Sequence, residues 1–439
     1  MTNTLFFRKL LLVIGDILLL YLSLLLALVI RSFGHLQPGF FFQHLLPFTI
    51  LYLLWLAIFY ILGLYDFSLF QELSAFSARI CLGLGLTLAT GTSFFYLIPS
   101  LGISPKTTLF LNILVFGILI FAWRRFFYFI FSSHFQTRVA IIGKNASSEE
   151  LAESIQKNPH FGYKLTAFLD PKKDILKQIR ENKIDTVILA ENLELNSSLA
   201  KKLYQCLPLK LNIIDLPRAY EMIFEKIPVS SVSQVWFLEN IKEKNKNSYE
   251  KMKKVIDLVL SSFLLLATLP LWLVIALLIK LEDKGPVFYK QKRVGKNKKE
   301  FYLWKFRSMT TEAEKKTGAV WAKEKDPRIT KIGGLLRQTH LDELPQMLNI
   351  IKGDISLVGP RPERPEFVKK LEKEIPYYHL RHLIKPGFTG WAQIKFRYAR
   401  SVIDSFEKFQ YDLYYLKNRS LFLDLKILLK TLQLFFKRE

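Results

Sequence analysis

Cysteine is almost missing from this chain, which holds two among 439 residues. Cys81 and Cys206 stand far apart with no metal-type spacing. Neither a disulfide framework nor a zinc site is indicated, and both read as small buried hydrophobes. No histidine and cysteine cluster exists to hold a soft metal, which leaves oxygen ligands for any cation the chain uses. Acidic residues are the second shortage, 38 Asp and Glu against 62 Lys and Arg, for a formal charge of +24. That balance points to anionic partners. Nucleic acid fits poorly among them, because the cations are not interleaved with aromatics as in a known RNA- or DNA-binding module. Glycine is short where one class of enzyme needs it: GKNASS, from Gly143, has one glycine where a dinucleotide-binding turn wants three.

Apolar residues are in excess. Half the residues are hydrophobic and mean hydropathy is +0.19 although 23% are charged, a combination that places part of the chain in a membrane. Four runs near the N-terminus, Leu10 to Ile30, Leu45 to Tyr65, Ile80 to Ile98 and Thr108 to Trp123, each approach the roughly 20 residues that cross about 30 Å of hydrocarbon. A four-helix transmembrane bundle over 1–133 is expected. The first run is too long for a cleaved signal peptide, and no small-residue cleavage site follows it. Arg8 and Lys9 before the first helix and Arg124 and Arg125 at the end of the fourth put both ends of the bundle on the cytoplasmic face. Asp16 is costly at that depth and should pair inside the bundle.

From Arg138 the texture changes to short apolar strands alternating with helical stretches. RVAIIGKNASSEELAESIQ reads as a strand, a turn at Gly143 and a helix opened by Ser147 or Ser148. The alternation predicts a small, degenerate Rossmann-like α/β domain over 136–240. A second long apolar segment, about 255–281, has Lys251, Lys253 and Lys254 before it and Lys280, Lys284, Lys290, Lys292 and Arg293 at or after its end. Lysines on both flanks suit a segment that enters and leaves the membrane by one face, and Pro270 supplies a bend. A re-entrant hairpin bent at Pro270 is expected, with the Thr268 hydroxyl serving the carbonyl freed there; a fifth span is the alternative.

The polar signals follow. THLDELPQ, 339–346, carries the adjacent carboxylates Asp342 and Glu343. Alone, such a pair merely complements a helix dipole. Around it stand Lys305, Arg307, Arg328, Arg337, Arg361 and Arg364 for anions, and Asp326 and Asp354 as further acids; guanidinium forks match two phosphate oxygens at once. Pro360 and Pro362 flank Arg361 and fix its backbone. Thr339 or His340 should cap a short helix with the dyad in its first turn, where the dipole also favours phosphate. Asp326 and Arg328 read as a structural pair, and Ile375 to Lys385, with His379 and His382, as an interfacial helix.

KFRSM, the run from Arg337 through Asp342-Glu343 to LPQ, GDISLVGPRP and PGFTGWAQI occur in the order of the bacterial sugar transferase family. The chain resembles its long form, the polyprenyl-phosphate hexose-1-phosphate transferases that begin exopolysaccharide, capsule and O-antigen assembly. The resemblance covers 250–439 in full. It implies a monotopic catalytic domain over those residues, on the cytoplasmic face of the bacterial inner membrane. The implied reaction passes a hexose-1-phosphate from a UDP-sugar donor to undecaprenyl phosphate and releases UMP, with glucose or galactose the first sugars to test. Asp342 would be the nucleophile of an aspartyl sugar-phosphate intermediate, and Glu343 would assist. Both would face Mg²⁺, while Lys305, Arg337 and Arg361 bind phosphate. Inner-membrane lipid is the further partner, nucleic acid is not one, and a homo-oligomer is left open. Two other readings stand beside this: a membrane-tethered nucleotide-binding enzyme that modifies sugars, and a non-enzymatic polybasic membrane scaffold.

Overall fold

The computed structural model describes residues 4–35, 38–66, 73–98, 106–133, 136–190, 197–241, 246–311, 326–396 and 401–436. They form two compact units, Met1–Ile223 and Phe224–Glu439.

The first unit begins with four long apolar helices, α1 (Thr4–Arg31), α2 (Pro38–Ile61), α3 (Leu73–Leu97) and α4 (Lys106–Ser133). Each is long and apolar enough to cross a membrane. Trp55, Phe48, Phe59 and Phe116 fill the space between them, while Leu18, Leu53 and Ile118 face outward. Asp16 of α1 pairs with Arg124 of α4, as expected. Arg124 also lies over the Tyr65 ring, 4.8 Å from its centroid. A second polar link joins the same helices: Asn112 Nδ2 donates to Ser23 Oγ at 2.8 Å.

A parallel sheet follows, with β1 (Thr137–Ile142), β2 (Tyr163–Leu169), β3 (Thr186–Leu189) and β4 (Asn212–Asp215) in the order β2-β1-β3-β4. Buried on every side, β3 reads TVIL, the apolar run expected of a central parallel strand. Gly143 takes φ +90°, a left-handed turn that favours glycine. The helix behind it, α5 (Ala146–Lys157), opens at Asn145 and not at a serine. Asn145 Oδ1 accepts from Ser148 N, and Ser148 Oγ accepts from Asn145 N, so the serine completes a capping box. Helices α6 (Ile175–Glu181), α7 (Ser197–Tyr204) and α8 (Leu216–Phe224) complete the unit. Residues 227–237, placed by sequence with this α/β region, belong instead to the second unit's core through Ile227, Val229 and Phe237, the last on α9 (Gln234–Asn240).

The second unit is organised around α10 (Asn247–Asp283), 37 residues in one α-helix. No hairpin forms at Pro270. Packing explains why: Lys253, Asp257, Ser261, Leu265, Thr268, Trp272, Ile275 and Ile279 are buried or half-buried, spaced three or four apart, one continuous seam along a helix. That seam continues past Pro270 and holds both halves on the same domain. Thr268 Oγ1 donates to the Leu264 carbonyl at 2.7 Å, not to the carbonyl that Pro270 leaves without its donor. The remaining faces, with Val255, Phe263, Leu266, Leu273 and Leu281, are exposed and apolar.

Against the seam lie the antiparallel hairpin β5 (Phe288–Val294) and β6 (Glu300–Phe306), then α11 (Lys331–Gln338) and α12 (Gln346–Lys352). The chain continues as β7 (Ser356–Val358), α13 (Pro365–Glu374) and β8 (Gly387–Thr389), the last parallel to β7. Helices α14 (Trp391–Lys395), α15 (Val402–Asn418) and α16 (Leu421–Phe436) close the core with Trp391, Phe409, Leu416 and Ile427.

The stretch from Ile375 to Lys385 is not an interfacial helix. It holds a 3₁₀ segment, Tyr378–Leu383, in which Tyr378, Arg381 and His382 are buried. Arg381 is neutralised there by Asp412 at 2.9 Å, so the segment needs no water for its charge. Burial, with Arg381 and Lys298 nearby, pushes the His382 imidazole down to about 3. Its folded-state value lies below the unfolded one of about 6.5. As pH falls the unfolded chain therefore takes up this proton first, and stability drops below pH about 6.5 by about 1.4 kcal/mol per unit. His382→Gln should flatten the thermal midpoint between pH 6.5 and 5 relative to wild type. An unchanged slope would show that the imidazole protonates freely in the fold.

Candidate active site

The dyad sits at a corner. Thr330 caps α11, its Oγ1 accepting from Gly333 N at 3.0 Å. Gly333 lies against the end of β6, where an added Cβ would stand 2.1 Å from the Ser308 carbonyl oxygen. This close approach lets Arg337 Nε donate to Ser308 Oγ at 2.8 Å. Thr339 ends α11, its hydroxyl donating back to the Leu335 carbonyl at 2.8 Å, and His340 takes φ +55°. His340 stands at the N-cap position of the short 3₁₀ helix that carries the dyad, as expected, although its side chain makes no capping hydrogen bond. The left-handed residue separates α11 from this single 3₁₀ turn, Leu341–Glu343, and Pro345 then leads into α12. Asn349 of α12 ties this corner to β6: its Oδ1 accepts from Trp304 N at 3.0 Å and its Nδ2 donates to Tyr302 O at 2.8 Å.

Asp342 and Glu343 are both buried, at 6% and 8% exposure, yet their surroundings differ. Glu343 Oε1 accepts from Lys305 Nζ at 2.6 Å and from Arg361 Nη2 at 2.5 Å. Burial alone would raise its pKa. The Arg361 and Lys305 cations more than reverse that and hold it well below the usual carboxylate range. Asp342 accepts no hydrogen bond among the described residues. Burial, aided by the Glu343 charge, raises its pKa against the pull of Lys305, Arg337 and Arg361. One carboxylate is thus locked as an anion between cations, and its neighbour is left with both oxygens open.

Of the six cations that the sequence singled out, Lys305 and Arg361 meet at Glu343, and Arg337 is close enough for its charge to act on Asp342. The others are occupied elsewhere. Arg307 pairs with Asp283, Arg328 with Asp326 and Arg364 with Glu366. Arg361 keeps its side chain 39% exposed, so a ligand can reach it. Two positions escaped the sequence reading: Arg293 donates to the Pro362 carbonyl at 3.0 Å, and Arg381 to the Arg361 carbonyl at 2.9 Å. Both stand in basic runs, QKRVG and HLRHL, where lipid contact was the simpler reading.

The donors available to a metal are few. Among the described residues no cluster of three His, Cys, Asp or Glu could hold an ion. The protein offers the open Asp342 carboxylate and the occupied Glu343. That set suits Mg²⁺, which binds through one or two carboxylates when phosphate oxygens and waters complete its shell.

The sequence profile of bacterial sugar transferases matches residues 248–438. A UDP-N-acetylgalactosamine-undecaprenyl-phosphate N-acetylgalactosaminephosphotransferase of Aeromonas hydrophila is 44% identical over 185 residues, which cover 42% of this chain and 44% of that protein. The UDP-glucose:undecaprenyl-phosphate glucose-1-phosphate transferase of Escherichia coli (strain K12) is 31% identical over 308 residues, 67% of this chain and 66% of that one. A putative undecaprenyl-phosphate N-acetylgalactosaminyl 1-phosphate transferase of Bacillus subtilis (strain 168) is 51% identical over 128 residues, 29% of this chain and 71% of its own length. The chain therefore spans less than two thirds of the first two relatives.

The glycine pair of α11 offers an internal comparison. Gly333→Ala must drive a methyl into the Ser308 carbonyl, whereas a Cβ at Gly334 meets only Ile329 Cγ2, at 4.0 Å. Gly333→Ala should cost about 1–3 kcal/mol from overpacking. Gly334→Ala should be neutral or stabilise by up to about 1 kcal/mol through helix propensity. Thermal midpoints of the two variants check this; equal midpoints would show that α11 does not rest on Ser308.

Proposed function

The chain belongs to the bacterial sugar transferase family, and from that membership and the unequal state of its two carboxylates we propose that it transfers a hexose-1-phosphate from a UDP-sugar to undecaprenyl phosphate, releasing UMP. This is the first step in building an exopolysaccharide, capsule or O-antigen. The observation that carries the reading is Asp342, a buried carboxylate whose oxygens accept no hydrogen bond among the described residues, beside a neighbour clamped by two cations.

An oxygen of Asp342 attacks the phosphorus next to the sugar. The new bond is an acyl phosphate, the bond from that phosphorus to the bridging oxygen breaks, and UMP leaves with the electron pair. An oxygen of undecaprenyl phosphate then attacks the same phosphorus, and the Asp342 carboxylate departs unchanged. Splitting the transfer lets each substrate visit in turn. Arg361 and Arg337 balance the charge on the diphosphate, and Lys305 keeps Glu343 ionised so that Arg361 stays in place. Mg²⁺, held by Asp342 with Glu343 beside it, would supply further charge neutralisation at the phosphate oxygens.

The proposed setting is the cytoplasmic face of the bacterial inner membrane, with α1–α4 crossing as a bundle, the α/β sheet following it, and the catalytic domain beginning near Phe224. The seam of α10 supports one-sided attachment. Lys253 pairs with Asp424 at one end of the helix and Asp283 with Arg307 at the other, so a spanning α10 would draw one of these charged contacts across the bilayer. The relatives act on glucose or N-acetylgalactosamine donors by name. UDP-glucose, UDP-galactose and UDP-N-acetylgalactosamine are accordingly the donors to compare.

Asp342→Asn and Asp342→Ala should lower UMP release by at least about 10³-fold, and Glu343→Gln by less. With donor and no acceptor, mass spectrometry should find a sugar-phosphate on Asp342; an adduct on another residue, or full turnover by Asp342→Ala, would overturn the mechanism. Turnover should also stop in EDTA and return with Mg²⁺, and undiminished release in chelator would remove the metal from the scheme.

A further inference from the structure

The loop from Gly359 to Glu363 presents Arg361 to Glu343, and two of its residues are prolines without an N–H to donate. It is held through its acceptors. The Pro360 carbonyl accepts from Gly387 N at 2.9 Å, Arg361 from Arg381 Nη2 at 2.9 Å, Pro362 from Arg293 Nη1 at 3.0 Å, and Glu363 from Val294 N at 2.9 Å. Four consecutive carbonyls are therefore taken by donors from outside the loop. The bond at Arg361 itself comes from a buried arginine.

Arg381 is 7% exposed and spends its guanidinium on three acceptors: the Arg361 carbonyl, Asp412 Oδ2 at 2.9 Å and the Tyr378 hydroxyl at 2.7 Å. Asp412, 3% exposed, lies on α15, far from the dyad in sequence. A buried ion pair of this kind is weak as a device for stability alone, because desolvation offsets most of its attraction. Its geometry has a different use. The pair fixes the direction of one guanidinium nitrogen, and that nitrogen fixes the backbone of the residue whose side chain reaches the dyad.

We propose that Arg381, oriented by Asp412, is a positioning residue that holds Arg361 at the angle from which its fork meets Glu343 and a substrate diphosphate. The proposal rests on the phosphate-transfer reading. Misplacement of a charge-stabilising group by about 1 Å costs up to about 100-fold in rate.

The test is a double-mutant cycle in the full chain. Arg381→Lys keeps the charge opposite Asp412 but lacks the fork, and should lower kcat/KM for UMP release by about 10- to 100-fold. Arg361→Ala should lower it at least as much. In the Arg361→Ala background, Arg381→Lys should cost less than about twofold more, because its effect runs through Arg361. Asp412→Asn should match Arg381→Lys, and Asp412→Glu should recover part of the loss. Losses that multiply in the double variant, or a wild-type rate for Arg381→Lys, overturn the proposal.

UDP binding followed by calorimetry separates the two claims. If the wild-type chain releases no UMP from any of the three donors, the transfer reading fails. Positioning then still stands if Arg381→Lys and Arg361→Ala each weaken UDP about tenfold with no further loss together. It falls if UDP affinity ignores Arg381 or if the losses multiply.

Discussion

A buried glutamate between two cations holds the candidate active site together. Lys305 comes from β6, Arg361 from the proline loop after β7 and Glu343 from the turn between α11 and α12, so one carboxylate joins three segments that nothing in their order would bring together. Remove its charge and the cations face each other in a region with little water. Remove the cations and two adjacent buried carboxylates could not both ionise. The arrangement forces a division of labour, because a carboxylate whose two oxygens both accept from cations is poorly placed to attack. Its neighbour Asp342, without a hydrogen-bond partner among the described residues, takes that role in the proposed chemistry.

What the sequence made legible follows from how local each signal is. The dyad, Lys305 and Arg361 lie in short linear motifs whose chemistry is written in side chains, and these converge in space. Asp16 could be predicted to seek a partner because an acid among apolar residues has few alternatives, and Arg124 supplies it. Arg381 was illegible for the opposite reason: it acts on a carbonyl, which every residue carries, and its counter-ion Asp412 sits on another helix. With that acid out of view, HLRHL looked like a segment that needs the membrane surface. The left-handed backbone of His340 ahead of the dyad's turn was not legible, since the sequence does not announce a left-handed residue other than glycine.

Pro270 is instructive in the same way. Proline inside a helix removes one hydrogen bond and crowds one turn, a local cost of about 3 kcal/mol. Whether that breaks the helix depends on what the two halves are attached to. Here Leu265 joins the main core, while Trp272, Ile275 and Ile279 pack with Phe306 and Leu336. Contacts on both sides of the proline keep its two halves in one continuous helix.

The seam of α10 also changes character along its length, and this links the helix to the loop. Near its start the inward residues are polar. Lys253 Nζ and the Tyr249 hydroxyl donate to Asp424 Oδ2 at 2.7 and 2.8 Å, and the Tyr415 hydroxyl stands 2.7 Å from Asp424 Oδ1 and 3.2 Å from the Val358 carbonyl. One turn later, Asp257 Oδ1 accepts from Leu357 N at 3.2 Å. Both Leu357 and Val358 belong to β7, and Arg361 is three residues beyond Val358. Hydrogen bonds of this kind are directional where apolar contacts are not, so the strand cannot slide along the helix as a purely hydrophobic seam would allow. These bonds set β7 against α10. The place of Arg361, three residues beyond Val358, is therefore tied to the helix whose other faces are exposed and apolar.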